Sequence, residues 1–166
     1  MNCQIRNAKE DDAPVLCNIY NHYVEHTIVT FDLELKKGEA FQKEMQEIMI
    51  NYPFYVAVAE DLIVGYAYAN FWKTRRAYAQ CVESSIYLNP NMLYNGIGTL
   101  LYAALLDDLN KRGIHSVIGG ISLPNNASVR LHEKFGFEKV AHFKEVGYKF
   151  SNWIDVGYWE LILNRQ

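Results

Sequence analysis

Gly96 and Gly98, in the run Leu88-Asn89-Pro90-Asn91-Met92-Leu93-Tyr94-Asn95-Gly96-Ile97-Gly98-Thr99, stand where an extended segment gives way to an amphipathic stretch of helical spacing. Glycine takes backbone dihedrals that a Cβ forbids and lets a ligand approach the chain closely. The first N–H groups of a helix have no internal acceptor. A glycine turn that feeds a helix is therefore a cradle for an anion, with phosphate or pyrophosphate the natural guest. The same punctuation marks ordinary turns, so the surroundings decide. A second polar cluster, Leu123-Pro124-Asn125-Asn126-Ala127-Ser128, opens another short helix, and ligands of α/β sheets gather at such strand ends. Positive charge concentrates in Lys73-Thr74-Arg75-Arg76, ahead of the segment that carries Glu83.

Several chemistries are set aside by what these residues lack. The run Gly96-Ile97-Gly98-Thr99-Leu100-Leu101 has no third glycine and does not open the chain, which argues against a nicotinamide dinucleotide turn. There is no Walker loop, and His132-Glu133 has no second histidine four residues on, so no metal is expected. A length of 166 residues, half of them apolar and none in a low-complexity tract, predicts one domain spanning 1–166. The net charge of −3, with basic residues dispersed, speaks against nucleic acid as the main partner. Cys3, Cys17 and Cys81 are odd in number and scattered, as reduced thiols are. The opening MNCQIRNAKEDD carries no basic segment ahead of an apolar run, and no later run is long enough to cross a bilayer. The expected location is the cytoplasm, without membrane contact.

The elements that must position these residues follow from periodicity. A short strand at Cys3–Ala8 precedes a helix to about Val24, led by Glu10, Asp11 and Asp12, with Ile19, Tyr20 and Tyr23 on its apolar side. His26 to Leu35 reads as a loop, and Lys37 to Ile50 returns to helical spacing through Phe41, Met45 and Ile48. Strands at Phe54–Ala59, Ile63–Phe71 and Tyr78–Leu88 form an antiparallel meander. The helix after the glycines buries a stripe of Ile97, Leu100, Leu101, Ala104, Leu105 and Leu109 and ends at Gly113. Val117–Ile121 reads as a strand covered on both faces, parallel to the one before the crossover helix. A short helix at Ser128–Lys134 and strands at Glu138–Val146 and Trp153–Leu163 close the chain. The prediction is a mixed α/β (α+β) domain of about seven strands in one twisted sheet with four helices.

In that order of elements, Gly-Ile-Gly followed by Asn-x-x-Ser-x-x-Leu-His-Glu-x-x-Gly-Phe resembles the GNAT acyl-CoA N-acyltransferases. The runs GISLPNNASVRLHEKFGF and VGYKFSNWIDVGYWE, with IYNHYV, TFD and RRAYAQCVESSIYL, resemble one branch of that family: phosphinothricin acetyltransferases and the amino-acid and methionine sulfoximine N-acetyltransferases. The likeness covers nearly the whole chain. It implies acetyl-CoA as cofactor and a small-molecule amine as substrate.

Residue by residue, the resemblance implies that the backbone of Ile86, Tyr87 and Leu88 holds the pantetheine arm as an added strand. The amides of Tyr94, Asn95, Gly96, Ile97, Gly98 and Thr99 would cap the pyrophosphate. Leu93 departs from the Arg or Gln usual three residues before the first glycine. Asn125 would reach the pantetheine, and Ser128 would do so or cap its helix. Glu83 falls at the position of the general base; burial would raise its pKa and nearby Arg75 would lower it. His132 occupies the position of a thiolate-protonating tyrosine, with simple packing as the alternative. Lys73, Arg75 and Tyr78 would bind the acidic end of a substrate, and Phe31 would supply an apolar wall. Cys81 is expected to stay out of the chemistry because successive strand residues face opposite sides. The branch also implies a homodimer in which the partner's Val146-Gly147-Tyr148-Lys149 region completes the pocket. A different amine, such as a polyamine or an antibiotic, or a non-catalytic acetyl-CoA sensor, remain the alternatives.

Overall fold

The computed structural model describes residues 3–92 and 96–163. One seven-stranded sheet runs in the order β1-β2-β3-β4-β5-β7-β6. Its strands are β1 (Cys3–Asn7), β2 (Phe54–Ala59), β3 (Leu62–Phe71), β4 (Cys81–Leu88), β5 (Ser116–Leu123), β6 (Glu138–Lys149) and β7 (Asn152–Ile162). The helices are α1 (Ala13–His26), α2 (Gly38–Asn51), α3 (Ile97–Lys111) and α4 (Asn126–Lys134). Seven strands and four helices agree with the sequence reading.

Two cores sandwich the sheet. On one face α1 and α2 bury Leu16, Ile19, Tyr20, Phe41, Met45 and Ile48 against Phe54, Val56 and Tyr66. On the other, α3 packs Ile97, Leu101, Tyr102, Leu105 and Leu109 over Ala57, Val64, Ala67, Val82 and Val117. The stripe of α3 is rotated from the one predicted: Leu100 is exposed, while Tyr102 and Leu106 are buried. A tyrosine pairs its hydroxyl before it goes inside, and spacing alone does not reveal that a partner waits there.

The boundaries shift where local hydrogen bonds compete with the ladder. Residues 10–12 form a 3-10 turn, held by Arg6 gripping both oxygens of Asp12 at 2.7 and 2.8 Å while Asp12 also accepts from the Lys9 amide. Tyr78 does not begin β4. Residues 76–78 are a 3-10 turn closed by Tyr78 N–H to Arg75 O and Ala79 N–H to Arg76 O, so the strand starts at Cys81. β6 runs on to Lys149, past the expected end at Val146, through irregular pairing between Phe143 and Gly147. Gly113 ends α3 at φ +78° as expected. Among the described residues no helix is long and apolar enough to cross a membrane.

One departure from regular pairing matters most. β4 and β5 pair in parallel only over Cys81–Glu83 with Ser116–Ile118. Beyond Glu83 each strand keeps its outer neighbour, β3 for β4 through Leu88 and β7 for β5 through Leu123. The sheet splits between them.

Candidate active site

The split opens a cleft of about 240 Å³. One bank is Ser84, Ser85, Ile86 and Tyr87 of β4; the other is Gly120, Ile121 and Ser122 of β5, with Asn125, Ser128 and His132 from the start and inner face of α4. The loop between α1 and α2 closes the mouth with Val29, Thr30 and Phe31. A contiguous hollow of about 180 Å³ shares Val29, Phe31, Glu83, Gly120 and Ser122 and adds Val156 and Tyr158. Glu83 stands where the two join. Past residue 83, β5 no longer satisfies the inner edge of β4, so N–H and C=O groups there are free to pair with an extended ligand, as an edge strand does.

Burial pushes the Glu83 carboxyl above the ordinary carboxylate range, and the nearby Lys73 ammonium pulls it partly back. The partner is thus Lys73 and not the Arg75 expected from sequence. Lys73 packs its ammonium 5.1 Å from the centre of the Trp72 ring, and Trp72 in turn meets Tyr158 edge-on at 5.5 Å. Arg75 and Tyr78 lie elsewhere. They line a separate open hollow with Tyr52, Phe71, Lys73 and Arg76, because the 3-10 turn at 76–78 carries them away from β4. Removing the charge at Lys73 (Lys73→Met) is expected to raise the pKa of Glu83 further, and the acid limb of the pH profile of kcat/KM should move to higher pH; an unmoved limb would separate Lys73 from Glu83.

His132 is buried in a directed chain of hydrogen bonds. Its Nδ1 lies 2.8 Å from the Ser128 carbonyl oxygen, which can only accept, so Nδ1 carries the proton. Nε2 then accepts from the Tyr102 hydroxyl at 2.8 Å, and Tyr102 is 3.1 Å from Ser84 Oγ. Burial lowers the His132 pKa. A neutral ring with its one N–H given to a carbonyl holds Tyr102 in place and has no proton to spare, so packing is the better account than acid catalysis. Nothing in the sequence pointed to Tyr102 or Ser84. A polar residue on an apolar stripe was the available signal.

The glycine turn expected to cradle an anion lies only partly within the described residues. Gly96 sits at φ +92° immediately before α3, a conformation that favours glycine. Gly98 is buried in the first turn of α3, where a Cβ would make only ordinary contact with Leu131 at 3.4 Å and Ile86 at 3.7 Å, so packing by itself does not demand a glycine there. The amides of Ile97, Gly98 and Thr99 lie in that first turn. Thr99 Oγ1 accepts from Lys134 at 3.2 Å. Leu93, Tyr94 and Asn95 lie outside the described residues. Asn125, and not Ser128, caps α4: its Oδ1 accepts from the Ser128 amide at 3.1 Å. Leu88 is not on the cleft wall, and its carbonyl accepts from the Tyr23 hydroxyl at 2.7 Å.

Phe31 lines both hollows as expected. Gly147 and Lys149 of the same chain support it. A Cβ on Gly147 would lie 3.1 Å from Phe31 Cδ2, and buried Lys149 donates to the Thr30 carbonyl at 2.8 Å. Cys81 stands two residues from Glu83, hence on the same side of β4, and the expected separation by alternation fails. Burial keeps the thiol protonated instead, its pKa raised against the opposing pull of a weak contact to Ser116 at 3.7 Å, so Cys81→Ala should leave kcat within about twofold, as substitutions away from a reacting centre do.

A family model described as an acetyltransferase (GNAT) domain matches residues 5–157. The chain belongs to the GNAT acetyltransferase family. It is 38% identical over 157 residues to a phosphinothricin N-acetyltransferase of Streptomyces viridochromogenes, covering 95% of this chain and 86% of that protein. An L-methionine sulfoximine/L-methionine sulfone acetyltransferase of Salmonella typhimurium is 31% identical over 163 residues, covering 96% and 94%. Among solved structures, a phosphinothricin acetyltransferase of Sinorhizobium meliloti in complex with acetyl-CoA superposes with a TM-score of 0.95 at 30% identity, over 98% of this chain and 89% of that one. Among the described residues no group of three or more His, Cys, Asp or Glu is placed to hold a metal ion.

Proposed function

We propose that the protein transfers an acetyl group from acetyl-CoA to the α-amino group of a small amino acid or analogue of the phosphinothricin and methionine sulfoximine type. The observation that carries this reading is Glu83, a carboxylate of raised pKa, standing where an unpaired strand edge meets a small acceptor hollow. The free edge of β4 from Ser84 to Tyr87 and the amides at the head of α3 fit an extended arm ending in a pyrophosphate. Glu83 takes a proton from the ammonium group, the freed lone pair forms the C–N bond, and the C–S bond breaks. The sulfur departs as a thiolate and takes up the remaining amine proton, directly or through water. A thiol of ordinary pKa, about 8.5, leaves without a dedicated acid. Much of the acceleration comes from holding the amine against the thioester.

The named relatives support this substrate class. In the same reading, Lys73 keeps Glu83 ionised enough to act at neutral pH. The exposed apolar side chains of Phe143, Val146, Tyr148, Phe150 and Trp153 on the β6–β7 hairpin suit burial in a homodimer; a monomeric mass in sedimentation at micromolar concentration would remove that part. Acceptor and acetyl-CoA varied together test the mechanism. Direct transfer gives intersecting double-reciprocal lines and no acetylated enzyme by intact mass, whereas parallel lines would require a covalent intermediate.

A further inference from the structure

β5 turns Ile118, Gly120 and Ser122 to one side, two residues apart. That side faces the junction of the two hollows. A Cβ on Gly120 would lie 3.2 Å from Glu83 Oε1 and 3.1 Å from Tyr158 Cε1, so the bare glycine keeps open the space beside the carboxylate. One pleat further, Ser122 lines both hollows and is 7% exposed. Its Oγ has no hydrogen-bond partner among the described residues. The other buried serines among the described residues are paired, Ser116 with Glu160 at 2.7 Å and Ser84 with Tyr102 at 3.1 Å. Tyr66, the second buried hydroxyl without a described partner, sits among Phe41, Phe54 and Tyr87, away from the cleft. A buried unpaired hydroxyl is a standing cost to a fold and calls for a reason.

We propose that Ser122 is a specificity-determining residue whose hydroxyl donates a hydrogen bond to a neutral polar head at the end of the substrate's side chain, while Gly120 makes room for the amine beside Glu83. The inference rests on the amino-acid reading above and names the acceptor within it. Two residues of strand span about 7 Å, farther than a carboxylate on the same carbon as the amine reaches. That distance fits an oxygen carried at the end of a two-carbon side chain, as in a sulfone or sulfoximine. Val29, Phe31, Val156 and Tyr158 enclose the methylenes, and Glu83 is the only acidic or basic side chain besides the Tyr158 phenol on the described wall of this hollow. A neutral head is therefore favoured over an anionic one.

The test compares L-methionine sulfone with L-methionine, which shares the skeleton and lacks the oxygens, in the wild type and in Ser122→Ala. The wild type should prefer the sulfone. Loss of the hydroxyl should raise KM for the sulfone about tenfold, the worth of one such hydrogen bond, with kcat, KM for L-methionine and KM for acetyl-CoA unchanged. Because Ala removes an unpaired buried hydroxyl, the variant should melt no lower than the wild type. An unchanged sulfone-to-methionine ratio in Ser122→Ala, or an effect confined to acetyl-CoA, overturns the inference and leaves the amino-acid reading standing. A wild type that acetylates neither compound overturns both.

Discussion

Glu83→Gln is expected to lower kcat/KM for the amine by about 10²–10⁴-fold, the range that a positioned proton acceptor contributes, with KM for acetyl-CoA unchanged. Gln keeps the shape of the side chain and removes its basicity, so a variant that folds, binds acetyl-CoA and turns over at the wild-type rate would remove Glu83 from the chemistry. The same substitution carries a second expectation of opposite sign. The folded protein holds Glu83 above the ordinary carboxylate pKa because burial disfavours the charge. Above that raised pKa the wild type bears the cost of an ionised, half-buried carboxylate. As pH falls through it, the carboxyl takes up a proton and the cost disappears. Glu83→Gln should therefore melt higher than the wild type at pH 8, by about a degree for a carboxylate that keeps part of its hydration, and the two should converge as the pH is lowered toward 4.5, the ordinary carboxylate value. A less active, more stable enzyme is the mark of a group kept for function.

The second large effect falls one residue away from the acceptor space, on the opposite face of β5. Gly119 turns its bare side to α4, where a Cβ would meet the His132 ring, 2.6 Å from Cδ2 and closer to Nε2. The ring cannot rotate away. Ser128 and Tyr102 hold its two nitrogens, and Tyr102 and Phe137 pack on it at 5.1 and 5.0 Å. Gly119→Ala should cost about 1–3 kcal/mol of stability, as overpacking does, and lower Tm by about 3–10 °C for a domain of this size. Gly120→Ala, its neighbour, meets only Glu83 Oε1 and the Tyr158 ring edge. It should melt within about 1–2 °C of the wild type yet lose most of its turnover, since an added methyl displaces the amine from its near-attack position. Thermal melts and kcat measured on the pair check both claims. Equal loss of stability in the two variants would contradict the division of labour.

That division also shows what could be read from the chain and what could not. Strand and helix periodicity placed all seven strands and four helices, and the family motifs singled out Glu83 and Phe31, which line one cleft. What periodicity could not supply was the competition between local hydrogen bonds and the ladder. The 3-10 turn at 76–78 diverts Arg75 and Tyr78 from β4 and leaves Lys73 as the cation that acts on Glu83. Tyr102 is buried because its hydroxyl donates to His132 and accepts from Ser84, a three-way arrangement from separate elements that a single-helix pattern does not contain. Gly120 read as one position in a strand covered on both faces, and only the divergence of β4 from β5 exposes it. Cys81 illustrates the reverse, an expected inertness reached for the wrong geometric reason and supported by burial.

The most direct test of the account is CoA release from acetyl-CoA by the wild type across one panel of amines: L-methionine sulfoximine, L-methionine sulfone, phosphinothricin, common L-amino acids and spermidine. The account predicts turnover on the amino-acid analogues, greatest for the sulfone or sulfoximine, with a single acetyl group on the α-nitrogen of the product. Binding of acetyl-CoA without turnover on any amine, or turnover on spermidine alone, would contradict it.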